Sequence, residues 1–141
     1  MNWIDDRLKQ RDDAYRRTVL IEQSAPTIFK NLWDAITPWV EEAKKKNMPV
    51  LTNGTPYERI VILPTPLRFG ESRSDTKRLI LSLAQDKSAI IVQGIGREDM
   101  RLTLDVCDDG VVCIKQDGEE VAINDVAQSL LDQFLFPEFT D

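Results

Sequence analysis

The sequence predicts an α+β domain: N-terminal helices, an antiparallel β-meander of about five strands, and a C-terminal helix packed on the sheet. Three observations carry this. Apolar residues recur at helical spacing over residues 25–43, alternation between closely spaced turns fills residues 57–122, and a second helical stripe closes the chain. A length of 141 residues fits one domain, and 42% hydrophobic residues can fill its core. Within it, residues 1–46 form a helical arm, 57–122 the meander and 124–136 the last helix.

The helix over Ala25–Ala43 rests on Ala25, Ile28, Phe29, Leu32, Trp33, Ile36, Trp39, Val40 and Ala43. At about 100° per residue these fall in an arc of about 140°. Pro26 suits a first helical position and Ser24 a cap. Pro38 deletes the bond to the Asp34 carbonyl, but both residues lie on the polar side, where water reaches it. Lys44, Lys45 and Lys46 complement the C-terminal end of the dipole.

Residues 3–23 also read as helix, along a narrow seam of Ile4, Leu8, Tyr15 and Val19 interrupted by Arg11 and Glu22. This segment either folds back as a hairpin or continues into the next helix as a kinked arm. Pro49, Asn53-Gly54 and Pro56 mark residues 47–57 as a loop, with Asn53-Gly54 as a turn.

Strand candidates follow at Tyr57–Leu63, Lys77–Ala84, Ala89–Gln93, Arg101–Cys107 and Val111–Gln116, with a short one at Glu119–Ala122. Their short connections imply antiparallel neighbours. Leu102, Leu104 and Val106 alternate with polar residues, so one face of that strand is buried. Ile60–Leu63 and Ile90-Ile91-Val92 are apolar on both faces, so the sheet needs cover twice there. The last helix, near Asp125–Leu135, has Asn124 as its cap and Val126, Leu130, Leu131 and Phe134 on one face.

Composition closes several chemistries. The chain has no histidine, which removes the usual general base of nucleophile pairs. Two cysteines alone cannot make a four-ligand zinc site, and no metal or cofactor is expected. Gly94-Ile95-Gly96-Arg97-Glu98-Asp99 lacks the third glycine of a dinucleotide loop and leads into a strand, so it reads as a turn. Asp105–Gln116 resembles a calcium loop, but Cys107 and Gln116 occupy ligand positions, so a hairpin tip is expected. In that hairpin Cys107 opposes Val111 and Asp105 opposes Cys113. The cysteines become diagonal neighbours, a poor geometry for a disulfide, and two reduced thiols are expected.

The net charge of −6 is uneven: residues 101–141 hold two Lys/Arg against ten Asp/Glu. Such a field repels phosphate backbones, so no nucleic-acid partner is expected. No apolar run approaches the roughly 20 residues of a membrane span, and the start has no signal-peptide pattern. The expected location is cytoplasmic, with no membrane association.

Two groups of residues stand out as binding candidates. Arg68, Arg73, Lys77 and Arg78 gather around the irregular stretch Pro64–Ser74, which could receive an anion or an acidic segment. Phe29, Trp33 and Trp39 could line a pocket or docking groove, although large aromatics in a helix stripe are usually core. The leading expectation is a non-catalytic protein-interaction or regulatory module, adaptor- or chaperone-like, whose partner is another protein or itself as a homodimer. Two alternatives stand beside it: a binder of small apolar ligands, with a pocket between helix 25–43 and the sheet, and a histidine-free enzyme using carboxylates near Arg68–Arg78. No catalytic residue is singled out.

Overall fold

The computed structural model describes residues 2–64 and 76–139. Its first element is one helix, α1 (Trp3–Lys45), of 43 residues and roughly 64 Å. Of the two arrangements left open, the hairpin and the continuation into the next helix, the structure has the continuation. Ser24 and Pro26 lie inside the helix and do not start it. Pro26 removes one bond to the Glu22 carbonyl and Pro38 one to that of Asp34. Glu22 and Asp34 are both exposed, so water can take up each carbonyl.

The helix start is capped by Asn2, whose Oδ1 accepts from the Ile4 amide at 2.9 Å. At its end, Asn47 adopts a left-handed φ of 68°. The Met48 and Asn47 amides then donate to the Ala43 and Lys44 carbonyls, both at 3.0 Å. This double return closes orphan carbonyls and releases the chain toward the sheet.

Seven strands follow: β1 (Leu51–Thr55), β2 (Glu58–Pro64), β3 (Thr76–Leu83), β4 (Ala89–Gln93), β5 (Met100–Val106), β6 (Val112–Gln116) and β7 (Glu119–Val121). They lie in sequence order in one sheet, each antiparallel to the next. The meander thus has seven strands, not five, and begins at residue 51. The added first strand runs through Asn53-Gly54, which is no turn; Pro56-Tyr57 makes the turn instead. Gly54 is needed because a Cβ there would overlap the Glu58 carbonyl of β2. The short strand β7 follows Asp117-Gly118, whose positive φ values of 53° and 82° suit a two-residue hairpin.

The chain continues into α2 (Ile123–Leu135) and a single 3-10 turn, Pro137–Phe139. Helix α2 starts before Asn124; its N-cap is Ala122, with no side-chain cap bond. Both helices contribute to one core with one face of the sheet. Phe29, Leu32, Ile36 and Val40 of α1 and Val126, Leu130, Leu131 and Phe134 of α2 join Val61, Leu79, Leu81, Ile90, Val92, Leu102, Leu104 and Ile114. The register explains the selection: Val61 pairs with Leu79, Leu81 with Val92, Ile90 with Leu102, and Leu104 with Ile114. Each pair points to the same side.

At the β5–β6 tip, Cys107 and Cys113 are joined in a disulfide, contrary to the expected pair of thiols. The expected register is present, with Asp105 opposite Cys113 and the Cys107 amide donating to Val111 O at 2.9 Å. However, the two Cα atoms lie 6.1 Å apart, inside the range a disulfide spans. Strand twist brings one diagonal of a tight hairpin closer than a flat ladder would.

Candidate functional site

The sheet has a second face, and neither helix packs on it. Ile60, Ile62, Ile80 and Ile91 project there, each half-buried and none part of the core with its helices. Register assembles them: Ile60 pairs with Ile80, Ile62 with Leu51, and Ile91 with Ser82, the next residue on that face of β3. Leu51 extends the patch at the sheet edge and is 55% exposed. Arg78, Gln93 and Arg101 border it with exposed polar groups. An apolar centre with a polar rim is the composition of a contact surface.

The three expected aromatic site residues part company. Phe29 is in the core. Trp33 is partly buried, with the Arg59 guanidinium 5.6 Å from its ring centroid. The Nε of Arg59 is buried without a hydrogen-bond partner among the described residues. Trp39 is 48% exposed and lines a groove of ≈ 380 Å³ with Ala43, Met48, Leu131, Leu135 and Phe136. That groove runs between α1 and α2. Between α1 and the sheet, where the alternative of a small-ligand binder puts its pocket, Leu32, Ile36, Leu79 and Leu81 are fully buried and packed in the same core.

Arg68 and Arg73 lie outside the described residues. Lys77 and Arg78 are exposed neighbours on β3, so their side chains leave opposite faces of the sheet. Arg78 borders the isoleucine patch, whereas Lys77 is on the helix side.

Elsewhere the polar chemistry is local. Arg17 donates to Asp105 Oδ1 through Nε at 2.8 Å and through Nη2, tying α1 to the end of β5. Lys115 Nζ is 3.5 Å from Asp105 Oδ2. The Arg17 bond, with a further one from the Val106 amide and two nearby cations, holds the Asp105 carboxyl below its ordinary value against the opposing effect of burial. Asp86 is lowered in the same direction by the Ser88 hydroxyl and amide, within the β3–β4 turn. Cys107, Cys113 and Glu120 bring ligand atoms within 4.8 Å of one another. The sulfurs are bonded to each other, so neither is a thiolate that could hold a metal. Gly94–Asp99 is a bend between β4 and β5, and a Cβ on Gly94 would overlap the Arg78 carbonyl.

The isoleucine patch carried a partial sequence signal, because runs apolar on both faces require a second cover. The Trp39 groove carried none, since it depends on how two distant helices meet. No family model matches the chain, nor does any curated protein or solved structure. Among the described residues, no helix is long and apolar enough to cross a membrane.

Proposed function

We propose that the protein is a non-catalytic interaction module, an acidic adaptor- or chaperone-like domain that docks another protein on the helix-free face of its sheet. The observation that carries this reading is the strip of Ile60, Ile62, Ile80 and Ile91, presented by four-way strand register and bordered by polar side chains. Burying the exposed remainder of these isoleucines supplies favourable transfer energy at about 25 cal/mol per Å², while the border selects the partner. Affinity capture with the full chain, followed by mass spectrometry, tests it. A specific partner should be recovered by the wild type and lost with Ile80→Lys or Ile91→Lys, both outside the core that the helices share with the sheet, with thermal melts of each variant confirming that it is folded. Equal recovery by the variants, or no specific partner, would count against it.

A second reading has its own observation. The groove beside Trp39 has a volume of ≈ 380 Å³ and a mainly apolar lining, within the size of small-ligand sites. A fatty acid series titrated while Trp fluorescence is followed in wild type and Trp39→Phe separates this from protein docking.

A further inference from the structure

Residues 3–16 of α1, roughly 21 Å of helix, are all exposed and precede Arg17, whose bond to Asp105 ties the helix to β5. Trp3 is 72% exposed, Ile4 47%, Leu8 46% and Tyr15 70%. A free helix of this length is marginal in water, and among the described residues its apolar seam is not part of the core. The seam of Ile4, Leu8, Arg11, Tyr15 and Val19 has three- and four-residue steps, and it runs on toward the buried stripe of Ala25, Phe29, Leu32 and Ile36.

We propose that this arm pairs antiparallel with the same arm of a second copy, forming a two-fold homodimer. The inference rests on the reading of the chain as an interaction module and names one of its partners. Charge selects the arrangement. Along one flank of the seam stand Asp5, Lys9, Asp12 and Arg16, at steps of four, three and four. Reversing this row about the point between Gln10 and Arg11 sets Asp5 against Arg16 of the second copy and Lys9 against its Asp12. The two-fold axis repeats both, giving four opposite-sign pairs from one surface.

The same register lays Leu8 between Arg11 and Tyr15 of the second copy, and Ile4 between its Tyr15 and Val19. A hollow of ≈ 360 Å³ lies there, lined by Tyr15, Arg16, Val19, Leu20 and Gln23. Parallel pairing would instead turn the row toward the other flank, Arg7, Ala14 and Thr18, which offers no carboxylate to Lys9 or Arg16. Among the described residues, none of the four charged groups is engaged in an ion pair within the chain, although Lys30 and Asp34 form one at the same i,i+4 spacing.

Sedimentation equilibrium of the full chain tests the pairing. The wild type should show a monomer–dimer equilibrium. Asp5→Lys with Asp12→Lys makes the row all basic, and Lys9→Glu with Arg16→Glu makes it all acidic. Each double variant should weaken the dimer by about tenfold or more, and an equimolar mixture of the two should restore dimers. Because the arm lies outside the core, melting of dilute protein monitors folding separately. A wild type that stays monomeric, variants that dimerise like it, or a mixture that stays monomeric would each overturn the proposal. A dimer lost with Ile80→Lys and kept in the arm variants would overturn it too, placing self-association on the sheet. Capture of a different protein on the sheet face is read independently, since the arm variants leave that face intact.

Discussion

Replacing Leu32 by alanine is the sharpest probe of how α1 is held. Leu32 is 0% exposed and sits among Phe29, Ile36 and the helix-facing strand residues. Leucine-to-alanine changes at such sites cost about 2.7–5.0 kcal/mol, the lost transfer energy plus a cavity term. A domain of 141 residues is stable by about 7–21 kcal/mol at roughly 0.05–0.15 kcal/mol per residue. The substitution therefore removes a measurable fraction, largest at the low end of that range, without abolishing folding. In urea, with a slope of about 1–3 kcal/mol per molar, the midpoint should fall by roughly 1–5 M at unchanged slope. Leu51, which is 55% exposed, is the matched control, and Leu51→Ala should stay within about 1 kcal/mol of wild type. Equal costs at the two positions would refute the packing of α1 onto the sheet.

Other expectations follow from single contacts. The depressed Asp105 carboxyl contributes stability that is fully present above its unfolded value of about 3.9 and is lost as pH falls through the lower folded value. Asp105→Asn should therefore cost up to about 1 kcal/mol at pH 7, and less below pH 4, in thermal melts, since Arg17 is largely exposed. Gly94→Ala should destabilise by about 1–3 kcal/mol in urea titrations, because φ is +99° and the Arg78 carbonyl blocks the Cβ. Cys113→Ser opens a loop with a sequence separation of only 6, and the chain-entropy relation puts its cost at about 2 kcal/mol, read against reduced wild type as a control that should melt alike.

The legible parts of this fold are those where one period dominates. Phe29, Leu32, Ile36 and Val40 could be assigned to one buried stripe because nothing polar interrupts it. Leu102 and Leu104 could be assigned to one sheet face because Arg101, Thr103 and Asp105 alternate with them. Local signals failed where the surroundings outweighed them. Ser24 and Pro26 resemble a helix start, yet a helix already propagating crosses them, since Glu22 is an exposed residue and water can take up the carbonyl that Pro26 leaves without a donor. Asn53-Gly54 resembles a turn, but glycine there serves a close approach of two backbones. The disulfide depended on twist, which spacing does not encode. Of the binding candidates, Trp39 reached a groove only through its meeting with α2, and Phe29 belonged to the core. The isoleucine patch was implied by apolar runs on both faces, but which face lay open required the helices to be placed.

The central claim is that both helices cover one face of the sheet and leave the other to a partner. Methyl NMR of the isolated chain with a soluble paramagnetic probe tests it directly. The claim predicts strong broadening of the Ile60, Ile62, Ile80 and Ile91 methyls, with those of Leu79, Leu81 and Ile90 protected. Equal protection of both sets, or broadening confined to the second, would contradict it.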